Sequence, residues 1–197
     1  MYLLYLRDEI SVMSHALFTI GHSTHRLDRF LALLTQHGVE ALADIRRFPG
    51  SKKFPQFNQA SLAAALPESG IEYQWIEALG GRRSKKATDA SKNLGLRNES
   101  FRNYADYMFT EDFREGVKQL LAIAEERRTA FMCSESVFWR CHRRLVSDFL
   151  LVNGTAVEHI MPSGELRPHR LTQGARYEAG ELTYPPPGAD QGHFTFE

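Results

Sequence analysis

Short apolar runs that end in polar or charged residues, each followed by a segment of helical periodicity, leave this chain few architectures. Leu17-Phe18-Thr19-Ile20 stops at Gly21-His22-Ser23-Thr24, and Leu27, Phe30, Leu31 and Leu34 then recur at the spacing of one helix face, predicting a helix over His25–His37 that Gly38 ends. Ser23 or Thr24 can cap it. Val39 to Asp44 reads as a second strand with a charged exit, Asp44-Ile45-Arg46-Arg47. Asn58 to Leu66 reads as a short helix, with Phe57 and Leu62 as a hydrophobic staple, and Ile71–Ile76 as a third strand. A long helix is expected over about Phe101–Arg128, with a break between Thr110 and Phe113. Thr129–Cys133 is the fourth strand, a helix reaches Val152, and Ala156–Met161 is the last clear strand. Strands alternating with helices predict an α/β fold: three layers, a mostly parallel sheet of about five strands, helices on both faces. Residues 1–16 read as an N-terminal extension, with Met13 a candidate start, 17–162 as the domain, and 163–197 as a C-terminal segment partly packed on it. Tyr184-Pro185-Pro186-Pro187 points to an extended, loosely packed end.

Right-handed crossovers place every parallel strand's C-terminal end on one edge of the sheet. His22-Ser23, Asp44-Arg46-Arg47 and Cys133-Glu135 would therefore converge. The richest stretch is Ala130–Arg144, AFMCSESVFWRCHRR, which holds both cysteines of the protein, eight positions apart, with Glu135, His142, Arg140, Arg143 and Arg144. A strand, a polar loop and a helix start are where open α/β sheets bind ligands, and the helix N-terminus favours anions.

Each group has two uses. Cys133, beside arginines and a helix start, is either a thiol of lowered pKa or a small buried hydrophobe; Cys141 has the same choice. Arg46, Arg47, Arg140 and Arg143 either form a bidentate anion site or brace loops, Arg46 against Asp44 or Glu135. Asp44 and Glu135 either divide acid and base roles or pair with arginines. His142 and His22 are either bases or structural. The eight-residue cysteine spacing argues against zinc, whose fourth ligand would have to come from His22, Glu135 or His159, so no metal is assigned. A Cys133–Cys141 disulfide switch is the redox alternative. Six residues separate Cys133 from Arg140, one more than a cysteine-phosphatase loop has, so that likeness is only of architecture.

The stretch Gly80–Asn103 carries seven basic residues (Arg82, Arg83, Lys85, Lys86, Lys92, Arg97, Arg102) against Asp89 and Glu99. With Trp75, Phe101 and Tyr104 nearby it reads as a nucleic-acid surface or as a solvated loop. Net charge is zero, so no global field draws the chain to DNA or membrane. No apolar run approaches the ~18 residues of a membrane span. Two cysteines and no export signal point to the cytoplasm.

Several stretches together resemble the domain-of-unknown-function 488 family. They are Thr19-Ile20-Gly21-His22-Ser23, Asp44-Ile45-Arg46 with Pro49, Phe54-Pro55-Gln56-Phe57, Gly70-Ile71-Glu72-Tyr73, Leu79-Gly80-Gly81, and Cys133-Ser134-Glu135 with Cys141-His142-Arg143. Glu158-His159-Ile160 and Pro168-His169-Arg170-Leu171 look like its closing segment, so the resemblance spans about residues 17–185. It implies a compact α/β cytoplasmic protein of a bacterium or archaeon and carries no reaction. It marks His22, Ser23, Asp44, Arg46, Cys133, Glu135, Cys141, His142, Arg143, His159 and His169 as candidates.

The function expected first is an enzyme acting on a phosphate-bearing small molecule, a nucleotide, or nucleic acid. Cys133 is its nucleophile, Asp44 or Glu135 its proton carrier, and Arg46 and Arg143 its anion clamp. No cofactor is called for. The alternatives are a non-catalytic nucleotide or nucleic-acid binding module and a metal or thiol-redox protein.

Overall fold

In the computed structural model, which describes residues 16–83 and 91–188, the chain forms a six-stranded sheet with helices on both faces. The elements run β1 (Leu17–Gly21), α1 (Leu27–Gln36), β2 (Ala41–Asp44), α2 (Gln59–Glu68), β3 (Glu72–Trp75), α3 (Glu99–Tyr107), α4 (Glu111–Glu126), β4 (Thr129–Cys133), α5 (Arg143–Val152) and β5 (Val157–Ile160). Then come β6 (Leu166–Pro168) and a separate hairpin, β7 (Arg176–Glu178) with β8 (Glu181–Thr183). Met13, Lys85, Lys86 and Asp89 lie outside the described residues.

Strand order is β3-β2-β4-β1-β5-β6, parallel except for β6, which pairs antiparallel with β5. The chain steps from β1 through β2 to β3 toward one edge, then returns through β4 to β5. The first two crossovers lay α1 and α2 on one face, and the return lays α3, α4 and α5 on the other. The residue-by-residue alternation of the strands agrees. Phe18, Ile20, Leu42, Ala130 and Met132 share a buried cluster with Phe30 and Leu33 of α1 and Leu62 and Leu66 of α2. Leu17, Ala41, Ala43 and Phe131 share another with Tyr104, Phe113, Leu120, Leu145 and Leu150. Strands buried on both faces are why these runs read as continuously apolar.

The reversal of direction puts β4 between β2 and β1, with Asp44 opposite Met132 and Gly21 opposite Cys133. Three strand exits are thus neighbours. The loops after β1 and β2 lead to one face and the loop after β4 to the other, the arrangement that opens a crevice at the carboxyl edge.

The expected break in the long helix falls at Met108–Thr110, where Thr110 caps α4 by accepting from Phe113 N. The strand β4 is as expected. Neither Ser23 nor Thr24 caps α1: the N-cap is Arg26, and Ser23 instead takes φ 48, in the left-handed region. Asn58 precedes α2, but its side chain accepts from Ser51 N. The sheet has a sixth strand, which the polar sequence after Pro162 concealed because an edge strand pairs by backbone alone. Nor is the described part of the C-terminal segment loose. Leu182 and Tyr184 are buried in the larger core, and Asn93 and Gly95 fasten the Tyr184 backbone. No helix among the described residues is long and apolar enough to cross a membrane.

At Gly21 the loop from β4 crosses directly over β1. A Cβ there would lie 1.7 Å from the Glu135 carbonyl oxygen. Replacing Gly21 by Ala is expected to cost about 3 kcal/mol in urea unfolding, the upper end for overpacking. Wild-type stability would mean that the loop does not rest on β1.

Candidate functional site

The crevice is a cleft of about 750 Å³ walled by the three strand exits. His22, Ser23, Arg46, Arg47, Cys133, Glu135, Arg140, Cys141 and His142 all line it, joined by Phe48, Gly81 and Arg82. Sequence reasoning expected His22, the Asp44–Arg47 exit and the Cys133–Glu135 loop to meet, and they do. Asp44, Arg143 and His169 do not line it; they hold its walls.

The hydrogen bonds of β1 and β4 continue past the strand ends, His22 N to Cys133 O and Ser23 N to Ser134 O. That keeps the two exits together and compensates the strained φ of Ser23. The loop after β4 makes one short turn over Phe138–Arg140 and brings Cys141 and His142 back beneath Cys133. His142 Nε2 donates to Ile45 O at 3.0 Å, which turns Nδ1 toward the two sulfurs. That Nδ1 stands 3.7 Å from Cys133 Sγ and 3.6 Å from Cys141 Sγ. The eight-residue separation that spoke against a joint role in sequence is closed by this turn. All three residues are buried.

The two thiols differ. The Cys141 S–H, together with His142 and the Arg143 guanidinium, draws the Cys133 thiol well below the usual range against the opposing effect of burial. Burial, and then the Cys133 sulfur, push Cys141 up. Of the two, Cys133 is the thiol poised to ionise, and it lines the cleft.

Gly81 makes this arrangement possible. A Cβ on it would stand 2.3 Å from His142 Nδ1 and 2.5 Å from Cγ, so any side chain there would push the ring away. Tyr104 packs against the same ring at 5.1 Å and donates to Leu79 O, so the Leu79-Gly80-Gly81 turn and α3 together hold the imidazole.

The carboxylates separate cleanly. Asp44 is fully buried; it accepts from Arg46 Nε at 2.8 Å and Tyr73 OH at 2.8 Å, and from Arg46 N at 3.0 Å. Arg46 also donates to Phe57 O at 2.7 Å, and its own carbonyl accepts from Trp75 Nε1. The two are each other's brace, with both Asp44 oxygens and all but one of the Arg46 side-chain N–H groups taken up inside the protein. Glu135 is exposed in the cleft and has no side-chain partner among the described residues. His22 stacks on Phe57 at 4.4 Å and accepts from Arg46 Nη1; burial first, then Arg46, lower its pKa to about 4, so it is a neutral wall.

The arginines divide likewise. Arg47 pairs with Glu77 at 2.9 Å. Arg83 donates to Ala78 O and stacks over Tyr107, which takes it out of the basic surface expected of its loop. Arg140 and Arg82 face the cleft with no ion-pair partner among the described residues. Arg143 is buried and donates to Thr19 Oγ1 at 2.9 Å and Glu135 O at 2.6 Å.

A buried chain of hydrogen bonds leads away from Arg143. Thr19 Oγ1 meets His159 Nδ1 at 3.0 Å, His159 Nε2 meets His169 Nδ1 at 2.9 Å, and His169 Nε2 meets Asp148 Oδ1 at 2.9 Å. Tyr184 OH donates to the other Asp148 oxygen. Each link pairs a donor with an acceptor from the guanidinium to the carboxylate, while Arg143 Nε is buried with no partner among the described residues. Asp148, Tyr184, Gly81 and Arg82 were not foreseen as site residues. A carboxylate inside the apolar face of α5 was the available signal for Asp148.

Fold and site together define a doubly wound α/β domain with a Cys–Cys–His cluster at the bottom of a strand-edge cleft. The family model described as Domain of unknown function DUF488 matches residues 26–150, more than half of the chain, and the chain belongs to that family. The match covers the cleft from Asp44 to His142; His22, Ser23 and His169 lie outside it. No curated protein and no solved structure matches the chain.

Burial lowers His159 from 6.5 to about 2, with His169 and Arg143 adding to it, and His22 goes from 6.5 to about 4. The unfolded chain thus binds protons that the folded chain refuses, and stability falls as pH drops below 6.5 toward those values. The slope approaches about 1.4 kcal/mol per pH unit for each ring. In urea unfolding between pH 6.5 and 5, His159→Gln is expected to remove one proton's worth of that slope. An unchanged slope would contradict a buried neutral His159.

Proposed function

We propose that the protein is an enzyme acting on a phosphate-bearing substrate, a nucleotide or a nucleic-acid end, in the strand-edge cleft. The observation that carries this reading is the pairing, in one cleft, of two arginines with no ion partner among the described residues and the Cys133–Cys141–His142 cluster beneath them. Arg140 and Arg82 supply charge-assisted donors for phosphate oxygens, with Arg47 beside them. Cys133, Cys141 and His142 supply the chemistry, and Cys133 is the group turnover cannot lose. Glu135 handles protons, because Asp44 is saturated. Arg46 and Arg143, expected from sequence as the anion clamp, act as positioning residues. Phe48, two-thirds exposed on the cleft wall, offers a stacking face to a base.

The test is turnover against phosphate monoesters, phosphodiesters, nucleotides and short single-stranded DNA. Cys133→Ser is expected to abolish turnover while leaving the unfolding midpoint near wild type. Arg140→Ala is expected to raise KM about tenfold, the loss of one charge-assisted contact. Full turnover by Cys133→Ser would remove the cluster from the chemistry. Salt-sensitive binding of these ligands without turnover of any would place the protein with the non-catalytic binding modules.

A further inference from the structure

We infer that Cys133, Cys141 and His142 form a binding site for one divalent transition-metal ion of the zinc type, with its fourth position open to the cleft. The ligand atoms of the three residues lie within 4.8 Å of one another. Tetrahedral zinc with Zn–S of about 2.3 Å and Zn–N of about 2.0–2.1 Å requires sulfur and nitrogen to stand about 3.6 Å apart. The observed Sγ–Nδ1 separations are 3.6 and 3.7 Å. A redox pair needs only its two sulfurs together; an imidazole lone pair equidistant from both is the geometry of three ligands around one ion.

The surroundings agree. His142 directs its other ring nitrogen at a backbone carbonyl, the usual outer partner of a metal-bound histidine. The Arg143 backbone N–H donates to Cys141 Sγ at 3.4 Å, a contact that stabilises a thiolate at the start of α5. Gly81 lies so close against the His142 ring that a side chain there would displace the imidazole. Two soft thiolates and an imidazole favour zinc over magnesium or calcium. Two thiolates also balance the ion's charge at a buried site.

No fourth protein ligand is at hand among the described residues. His22 is engaged by Arg46 and Ser23 O, and His159 by Thr19 and His169. The fourth position therefore belongs to water or to a substrate oxygen from the cleft. Three protein ligands and an open place characterise catalytic rather than structural zinc. A bound ion there would lower the pKa of its water, and Glu135, unpaired in the same cleft, is placed to exchange a proton with it.

The inference shares its residues with the proposed function but not its substrate, so the two fail separately. Elemental analysis of untagged protein, purified without added metal, is expected to give one zinc per chain. Cys141→Ser and His142→Ala, with folding checked by circular dichroism, are expected to lose most of it. Cobalt(II) titrated into wild-type protein stripped with chelator is expected to give a thiolate charge-transfer band of two-sulfur intensity and the visible bands of a tetrahedral ion. Folded protein that holds no metal and gives no thiolate–cobalt band overturns the site, as does cobalt bound without sulfur. Turnover that persists in metal-free protein removes the ion from the reaction and leaves the proposed enzyme intact. A metal-loaded protein that turns over no phosphate-bearing substrate keeps the site and overturns the enzyme reading.

Discussion

A guanidinium buried to 1% exposure lies at the junction of three elements, and the rest of the site is arranged around it. Arg143 opens α5, bonds Thr19 on β1 and holds the Glu135 carbonyl of the loop above. Burying such a charge costs several kcal/mol unless hydrogen bonds and a counter-charge offset it. The offset is distributed. Two bonds are direct, and the Thr19–His159–His169 chain leads from the cation to Asp148, itself held by Tyr184 and Thr172 N. The C-terminal hairpin is thus tied to the cleft by polar bonds through the middle of the domain, while Leu182 and Tyr184 add apolar burial. Phe138, stacked on His159 at 3.5 Å, fastens the loop that returns Cys141 and His142 to Cys133. The position of the thiols follows from this scaffold more than from their own contacts.

Saturation separates the groups that build from those that act. Asp44, Arg46, Arg143, His159, His169 and Asp148 are all buried, and most of their capacity is used within the protein. Such groups are fixed in charge and in place. Glu135, Arg140 and Arg82 face the cleft with charge unspent among the described residues, and the Cys133–Cys141–His142 cluster has an imidazole lone pair shared between two sulfurs. These are the charged and nucleophilic groups that a substrate entering the cleft finds least committed. The braces contribute by holding the cluster where electrostatic interactions are strong and water is scarce.

Much of the fold was legible because burial on both faces of a parallel sheet writes long apolar strands, and amphipathic helices write their own period. Right-handed crossovers put the exits of His22, Arg46 and Cys133 on one edge, but their meeting depended on a strand order that the sequence does not write. What stayed hidden has physical causes. Strand β6 pairs through its backbone at the sheet edge, so its exposed side chains carry no apolar pattern. Ser23 offered a helix cap in sequence, but its N–H is used by Ser134 O and its backbone turns left-handed instead. The closeness of Cys133 and Cys141 was hidden because sequence distance says nothing of a loop that doubles back. The choice between clamp and brace for Arg46 depended on whether Asp44 pointed at it, which no spacing rule decides. Gly21 and Gly81 stood in recognisable motifs, yet their reason, a neighbour too close for a Cβ, exists only in three dimensions.

The most direct test of this account is a crystal structure of the protein soaked with inorganic phosphate and, separately, with a nucleoside monophosphate. The expected result is a phosphate bound by Arg140 and Arg82 in the strand-edge cleft, with an oxygen facing the Cys133–Cys141–His142 cluster. In the nucleotide soak the base is expected against Phe48. Phosphate bound instead beside Phe138, Arg167 and Arg170, the second concavity of the surface, would contradict the account, as would a cleft left empty by both ligands.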